Sequence, residues 1–318
     1  MHIPDGFLDA KTAATTGVLA VGGITLAVRQ LRRQLPPQRV PLLGLAAAFV
    51  FAAQMLNFPV AGGTSGHLVG SALIAVLLGP GAAVLVLAAV LIVQCFVFAD
   101  GGLLALGANI FNMGVVGGIA GYVIYRGVRR FFGGTRGMVM AAAFASWCAT
   151  VLAAIMCAGE LALSGTVAWS VVFPAMVNAH ILIGLGEALI TGLVVITIHR
   201  TRPELIEPTM GATTVLGYRQ VLGYGLLISL GLALFVSPFA CPWPDGLERV
   251  AGALGFEHRA AGQPLVPALM PDYQLGGMHS ATFATSLAGV IGTIIVFALS
   301  FALARLLVPR TTAPDRTE

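Results

Sequence analysis

Apolar residues fill most of the chain in runs of about 20, the length that is typical of a membrane-spanning helix. Short segments that carry the charged residues separate these runs. The pattern predicts nine candidate spans, at about 13–31, 41–57, 67–79, 81–99, 104–125, 137–162, 172–198, 218–238 and 281–307. The third is short, and Gly79-Pro80-Gly81 separates it from the fourth, so these two are expected to form a tight hairpin.

Composition and the placement of polar segments turn this pattern into a fold class. The 318 residues are 58% hydrophobic and only 9% charged, whereas soluble domains carry about 25% charged residues. After Arg200 a linker that contains Pro and Glu covers 203–217, and a polar loop at 239–280 separates the last two spans. We therefore predict an all-α integral membrane protein, with a seven-span bundle at residues 1–205 and, at residues 206–318, a two-span hairpin with a large outer loop.

The basic residues predict the orientation of the chain, because cytoplasmic loops carry an excess of Lys and Arg. If the N-terminus lies outside, 14 of the 17 basic residues fall in inner segments, and only Lys11, Arg249 and Arg259 lie outside. The sequence therefore predicts an outer N-terminus and a cytoplasmic C-terminus, which places His2 and the segment 58–66 on the same outer face. Arginines distributed in this way indicate membrane orientation, and no nucleic-acid partner is predicted.

Segment 58–66 lacks charge, yet its Pro and Gly residues cannot form a regular helix. Irregular backbone at membrane depth is tolerated where it is buried in protein or lines a cavity. We therefore predict a re-entrant loop that presents His67 at the start of the next helix. The alternative is an ordinary exposed turn.

Met1 and His2 form a potential metal chelate. The α-amine, the deprotonated amide nitrogen of His2 and its imidazole Nδ1 can close a five- and a six-membered ring around one ion, and His67 is the candidate for the fourth corner. Square-planar nitrogen sites suit Ni(II) or Cu(II) better than Zn(II), which prefers a tetrahedron. No signal peptide is predicted, so Met1 is expected to remain the N-terminus. The alternative is that Met1-His2 is only an initiator and a polar tail.

Other polar residues are candidates for supporting roles. Residues that hydrogen-bond metal ligands orient them, and four residues could do this here or could simply cap a helix or turn: Asp5, Asn57, Thr64 and Ser65. In the seventh span, His180 and Glu187 lie on one helix face, where they are expected to form an intramembrane polar pair or to contact another helix. Asp100 and Glu160 lie near the outer ends of their spans and are expected to be hydrated.

Five motifs lie within the first 200 residues: MHIPDGFL at 1–8, GGTSGH at 62–67, ADGG at 99–102, LGAN at 106–109 and GEALITG at 186–192. Together they resemble the cobalt/nickel substrate-binding subunits (CbiM/NikM type) of energy-coupling-factor transporters. The resemblance implies a helical bundle like that of the substrate-binding (S) component of these transporters. It also implies that Ni(II) or Co(II) is held by the Met1 amine, by the His2 amide and ring, and by His67.

Near the end of the chain, SPFA at 237–240 and PDGLE at 244–248 resemble the accessory subunit of the same transporters (CbiN/NikN type, PDGLE domain). That subunit also has two spans and an outer loop, so the chain resembles a fusion of binding and accessory subunits. The resemblance implies capture of Co(II) or Ni(II) at the outer face of the bacterial inner membrane, for cobalamin synthesis or nickel enzymes.

The sequence contains no G-x-x-x-x-G-K-[ST] motif, so no ATP site is predicted in this chain. The resemblance implies that transport energy comes from separate ATPase subunits through a membrane coupling (T) subunit. One alternative is a stand-alone secondary cobalt/nickel permease, which would be expected to show His- and Asp-rich clusters within one span. The other is an intramembrane metalloenzyme, but the H-E-x-x-H motif is absent.

Overall fold

The computed structural model describes residues 1–206 and 218–307. The regular secondary structure of these residues is helical except for two short strands, β1 (Phe58–Val60) and β2 (Thr64–Gly66). The helices are α1 (Ala10–Gln34), α2 (Val40–Gln54), α3 (Ser71–Leu78), α4 (Pro80–Val93), α5 (Leu106–Asn109), α6 (Gly117–Arg129), α7 (Gly134–Leu163), α8 (Trp169–Thr201), α9 (Tyr218–Gly231), α10 (Gly246–Leu254) and α11 (Ala281–Leu307). Wider π-helical turns extend α4 through Gln94–Phe98, join α5 to α6 through Ile110–Val116 and extend α9 through Leu232–Val236.

The predicted all-α membrane class is confirmed. Within the described parts of the chain, seven helices are long and apolar enough to cross a membrane: Ala10–Gln34, Pro80–Phe98, Leu106–Arg129, Gly134–Leu163, Trp169–Thr201, Arg219–Phe239 and Ala281–Leu307. Two of the nine predicted spans form shorter helices, because α2 has 15 residues and α3 has eight. The predicted linker at 203–217 lies outside the described residues from 207 onward.

Helices α3 and α4 form the predicted tight hairpin. Gly79 separates them with a φ of +91°, a backbone conformation that favours glycine. Pro80 follows as the first residue of α4, where the lack of a backbone N–H costs no helical hydrogen bond. In an apolar 18-residue window of the helix Pro80–Phe98, 83% of the residues are buried. Helix α4 is therefore the centre of the bundle.

Small residues bring the surrounding helices close together. A Cβ at Gly121 of α6 would lie 2.8 Å from the Ala72 Cβ of α3 and 3.4 Å from that of Ala149 in α7. A Cβ at Gly184 of α8 would lie 2.8 Å from the indole Cδ1 of Trp147 in α7. Such close backbone approach is how membrane helices gain packing energy when lipid is as apolar as their side chains.

Segment 58–66 differs from the predicted re-entrant loop. It forms an antiparallel hairpin, with Phe58 opposite Gly66 and Val60 opposite Thr64. The tip, residues 61–63, is exposed, and both of its glycines have positive φ. His67 does not start the next helix, because α3 begins only at Ser71. The turn-forming glycines therefore give the chain a hairpin that returns to the surface, and His67 follows it in extended backbone.

The polar outer loop folds over the start of the chain. Its helix α10 begins with a capping box, in which Asp245 and Glu248 each accept a hydrogen bond from the other's backbone N–H. Leu247 and Val250 of α10 are buried in one apolar cluster with Met1 and other residues of the N-terminal tail. The loop and the tail therefore pack as one layer at this end of the bundle.

Candidate metal centre at the N-terminus

The N-terminal tail enters the bundle as extended backbone. Met1 is 5% exposed and Ile3 is fully buried. The Ile3 N–H donates to Asn109 Oδ1 (2.8 Å), Asn109 Nδ2 donates to the Ile3 carbonyl (3.1 Å), and the Gly102 N–H donates to the same carbonyl (2.9 Å). These three bonds hold Met1 and His2 at a defined depth, and they explain why LGAN and ADGG accompany the N-terminal motif.

The α-amine of Met1 lies between His67 and Asp245. Its nitrogen is 2.9 Å from His67 Nε2 and 2.6 Å from Asp245 Oδ2. His67 Nδ1 lies 3.1 Å from the Leu68 carbonyl, which can only accept, so Nδ1 carries the ring proton. His67 Nε2 therefore directs a lone pair at the amine.

The ring of His2 is oriented by a chain of side-chain amides. Gln54 Nε2 donates to the Val69 carbonyl (3.0 Å), which makes Gln54 Oε1 the acceptor for Gln94 Nε2 (2.9 Å). Gln94 Oε1 then faces His2 Nε2 at 3.2 Å. Because this oxygen can only accept, it favours the tautomer with the proton on His2 Nε2. In that tautomer His2 Nδ1, the nitrogen that a chelate with the α-amine needs, has a lone pair, whereas the Asp100 carboxylate 3.2 Å from Nδ1 favours a proton there.

Asp100 and Tyr273 complete the surroundings of His2. Asp100 Oδ1 lies 3.2 Å from His2 Nδ1, and Tyr273 Oη donates to Asp100 Oδ2 at 2.5 Å. Burial, together with the charge of Asp100, raises the pKa of the Tyr273 hydroxyl well above its usual value, so this group keeps its proton. Asp100 was expected to be hydrated, but the structure engages both of its oxygens at the candidate site.

Burial sets the charge state of both imidazoles. Desolvation lowers the pKa of His2 and lowers the pKa of His67 well below its usual value, and the neighbouring α-amine acts in the same direction. Burial alone would raise the pKa of Asp245, but the α-amine lowers it well below its usual range. At neutral pH the site therefore contains two neutral imidazoles and an ionised carboxylate.

The four residues predicted to orient the ligands do not contact the imidazoles. Asp5 accepts from the backbone N–H groups of Leu103 (3.0 Å) and Leu104 (2.8 Å), and the Asn57 carbonyl accepts from the Cys241 N–H. The remaining two fasten the His67 loop to the outer loop, because Thr64 Oγ1 donates to the Pro244 carbonyl (3.1 Å) and Ser65 Oγ to the Trp243 carbonyl (2.7 Å). The side chains of Asp5, Thr64 and Ser65 therefore hydrogen-bond to backbone groups instead.

His180 and Glu187 do not form the predicted pair. Glu187 accepts from the N–H groups of Val69 (2.6 Å) and Gly70 (2.9 Å), the two residues that immediately precede α3. His180 Nδ1 lies 2.8 Å from the Met176 carbonyl in its own helix. Glu187 therefore makes the interhelical contact that was the alternative, and it anchors the backbone two residues after His67.

Glu160 is also not hydrated as predicted. It is only 4% exposed, and its Oε2 accepts from Asn112 Nδ2 at 2.7 Å. The contact joins α7 to the π-helical turn before α6.

Sequence reasoning missed four residues that contact Met1 or surround His2: Gln54, Gln94, Asp245 and Tyr273. Gln54 and Gln94 are single amides in otherwise apolar spans, a signal that polar groups in a membrane are functional. Asp245 and Tyr273 come from the outer loop, and local sequence does not show which residue such a loop will contact. Asp245 and Tyr273 also line a cavity of about 940 Å³ with His2 and His67.

The arrangement differs from a site built of side chains alone. Within residues 1–206 and 218–307, no group of three or more His, Cys, Asp and Glu side chains is arranged to hold a metal ion. The nitrogen atoms that converge here include the backbone amine of Met1 and two imidazoles.

Comparison with known proteins gives these features a family context. Residues 2–205 match the family CbiM, described as the cobalt uptake substrate-specific transmembrane region. The chain belongs to this family. Residues 219–309 match the PDGLE domain, so the predicted fusion of CbiM/NikM-type and CbiN/NikN-type parts is confirmed.

Relatives of the full length include transporters of two metals. A putative fused nickel transport protein NikMN of Archaeoglobus fulgidus is 39% identical over 96% of this chain and 98% of its own. The fused nickel transport protein NikMN of Rhodobacter capsulatus is 34% identical over 94% of this chain and 95% of its own. The cobalt transport protein CbiM of Geobacter sulfurreducens is 30% identical over 100% of this chain and 93% of its own. This CbiM-family chain is therefore a component of metal transport.

A solved structure agrees with this placement. A crystal structure of a transition metal transporter is 34% identical and superimposes with a TM-score of 0.59, covering 67% of this chain and all of that one. The CbiM-family chain is thus a multi-pass membrane protein with the fold of a transition metal transporter. The predicted boundary near residue 206 adjoins the segment outside the described residues and stays a prediction.

Proposed function

We propose that the chain is the substrate-specific binding component that captures Co(II) or Ni(II) at the outer membrane face for ATP-driven import by an energy-coupling-factor transporter. The observation that carries this proposal is the 2.9 Å separation between the Met1 amine nitrogen and His67 Nε2. Two nitrogens bound at a right angle to one ion, with bonds of about 2.0–2.1 Å, lie about 2.9 Å apart. The spacing therefore suits adjacent corners of one coordination sphere.

The remaining donors come from His2. Its Nδ1 holds a lone pair in the tautomer that the hydrogen bond to Gln94 favours. In the described part of the chain its backbone N–H donates to no acceptor, whereas the next N–H, that of Ile3, is hydrogen-bonded to Asn109. The His2 amide can therefore give its proton to solvent when an ion arrives, without breaking a structural bond. Four nitrogen donors in a plane suit Ni(II), and nitrogen donors also suit Co(II).

The transport role follows from what this chain contains and from its relatives. The names of the relatives specify cobalt or nickel transport, and the sequence contains no Walker A motif. We propose that ATPase subunits and a membrane coupling subunit drive the inward step, and that the chain performs no covalent chemistry. We place it in the bacterial inner membrane with the N-terminus outside and the C-terminus in the cytoplasm, as the arginine distribution predicts.

The test is metal uptake in vesicles that contain the purified chain with or without its coupling and ATPase subunits. We expect purified chain alone to bind Ni(II) or Co(II), and vesicles to accumulate the ion only when all subunits and ATP are present. Accumulation by the chain alone, driven by the ion gradient, would identify a secondary permease and contradict the proposal.

A further inference from the structure

Asp245 of the outer loop uses its two carboxylate oxygens differently. Oδ1 accepts from the N–H groups of Leu247 (2.8 Å) and Glu248 (2.9 Å) and so caps α10. Oδ2 lies 2.6 Å from the Met1 amine nitrogen. The α10 cap therefore occupies one oxygen and directs the other at the atom proposed as a metal ligand.

Hydrogen bonds of the Asp245 backbone and of the preceding residue, Pro244, fix the position of this carboxylate. Its own N–H donates to Glu248 Oε2 at 2.9 Å, which completes the capping box. The preceding carbonyl, that of Pro244, accepts from the Ser65 N–H at 2.8 Å and from Thr64 Oγ1 at 3.1 Å. The loop that carries Asp245 is therefore fastened directly to the loop that carries His67, and both approach the same amine.

We propose that Asp245 Oδ2 is a fifth, axial ligand of the transported ion, so that the accessory part of the chain supplies one donor of the coordination sphere. This inference rests on the proposed function. An axial donor lies at a right angle to every donor in the plane, and bonds of about 2.0–2.2 Å then place it about 3 Å from the amine nitrogen. When the ion takes the place of the amine proton, a small displacement of Oδ2 from its present 2.6 Å meets this condition.

An axial carboxylate changes the spin state that is expected for the bound Ni(II). Ni(II) in a square of four strong nitrogen donors is diamagnetic, whereas an axial oxygen donor favours a paramagnetic, square-pyramidal ion. The carboxylate also supplies negative charge and a hard oxygen donor, which favours ions that accept five ligands, Co(II) among them.

The test compares Ni(II)-loaded full-length chain with Asp245→Ser and Asp245→Asn. Serine caps a helix well but is too short to reach the amine. Asparagine must use its oxygen for the two N–H groups of α10, so its NH₂ group, which has no free lone pair, faces the site. The coordination number is measured by X-ray absorption and the spin state by paramagnetic NMR shifts. Affinity is measured by isothermal titration, and folding by the melting temperature.

We expect five-coordinate, paramagnetic Ni(II) in the unmodified chain and four-coordinate, diamagnetic Ni(II) in both variants. Affinity should fall by about 10- to 100-fold, the range found when a group that supports a metal site is lost. Asp9→Ser is the matched control, because Asp9 caps α1 by accepting from the Thr12 N–H at 2.9 Å in the same way. This control should leave coordination number, spin state and affinity unchanged.

The possible failures are distinguishable. Four-coordinate Ni(II) in the unmodified chain, or unaltered coordination in both variants, overturns the axial ligand while leaving the proposed function in place. Higher affinity in the variants also overturns it, because Asp245 would then compete with the ion for the amine. If the unmodified chain binds neither Ni(II) nor Co(II), the proposed function fails and the axial ligand fails with it.

Discussion

The central helix of the first family region and the first helix of the second differ in how much of each is buried. In the CbiM region, 83% of an apolar 18-residue window of Pro80–Phe98 is buried inside the protein. In the PDGLE region, the corresponding fraction for Arg219–Phe239 is 17%. Within the membrane, therefore, the first region has a packed centre, and the helix that begins the second lies at its edge.

At the end of the bundle that holds the candidate ligands, the two regions contact each other directly. The CbiM region supplies the amine and the two imidazoles, but the PDGLE region places Asp245 against the amine and Tyr273 against Asp100, which in turn faces His2. The second region thus also contacts the first where the metal is proposed to bind. With the proposed function, we expect the nitrogen donors of the first region to determine whether the ion binds, and the groups of the second region to adjust the affinity.

Moving the amine should have the largest effect. Two residues placed before Met1 displace the amine from its chelate ring, so we expect Ni(II) affinity to fall by about 100- to 10,000-fold, as when a linked donor is lost. A single added residue is avoided, because an amine two residues before a histidine forms a four-nitrogen chelate of its own. Isothermal titration measures the change, and two residues added after Glu318 provide the control. Unchanged affinity in the N-terminally extended chain would refute the amine ligand.

Removal of the fourth nitrogen should have the next largest effect. His67→Ala leaves one coordination position of the ion to water. We therefore expect affinity for Ni(II) or Co(II) to fall by about 100- to 1,000-fold. The matched control is His258→Ala, since His258 is exposed in the outer loop. If both variants bind with the affinity of the unmodified chain, His67 is not a ligand and the donor set of the first region is incomplete.

Acid should weaken binding because protons compete for the donors. Each ion must displace one proton from the amine and one from the His2 amide. Affinity should therefore fall by about 100-fold for each unit by which the pH is lowered. Burial lowers the pKa of His2 and of His67, so the imidazoles stay neutral as the pH falls through 6.5 and add no further protons there. Titrations between pH 7 and 6 measure the slope. A slope near zero contradicts amine and amide ligation, and a slope near four shows that the imidazoles are protonated as well.

Local pattern was sufficient for the helices, and it predicts that the candidate ligands lie on one side of the membrane. Runs of apolar residues mark spans because lipid offers no hydrogen bonds to an irregular backbone. The three predicted ligands, Met1, His2 and His67, lie together in the structure. Their spacing follows from the family motifs and from the shared outer face, and their binding of a metal stays a prediction.

Contacts between distant parts of the chain were beyond local pattern. Asp245 is 244 residues from Met1, and a capping motif predicts the start of a helix without indicating what its second oxygen will contact. Glu187 was assigned to His180 because they share a helix face, but a carboxylate near the N–H groups that immediately precede another helix gains two hydrogen bonds there. The β1–β2 hairpin was missed because strands of three residues give too short an alternation to recognise.

Glu187 offers a test within the first region that does not touch a ligand. In Glu187→Gln, an NH₂ group must face the N–H of Val69 or Gly70, so the backbone that follows His67 should shift. Loss of a hydrogen bond to a charged group costs about 1.5–3 kcal/mol, which corresponds to about 10- to 100-fold in Ni(II) affinity if the whole cost falls on the metal-bound state. Glu204→Gln, beyond the end of α8, serves as the control. A lower melting temperature with unchanged affinity would assign Glu187 to the fold alone.

Tyr273 should show the smallest effect, and it tests the second region independently of Asp245. Its hydroxyl donates to Asp100 Oδ2 and accepts from Gln94 Nε2 at 3.1 Å, so it links the two groups that face His2. Its ring stacks on Phe98 with 4.6 Å between centroids, and Tyr273→Phe keeps that contact. Because only hydrogen bonds are lost, we expect Ni(II) affinity to fall by about 3- to 10-fold with little change in melting temperature. Tyr224→Phe, at an exposed position, controls for the substitution. Equal affinities for the two variants would show that the second region acts on the site through Asp245 and not through the orientation of His2.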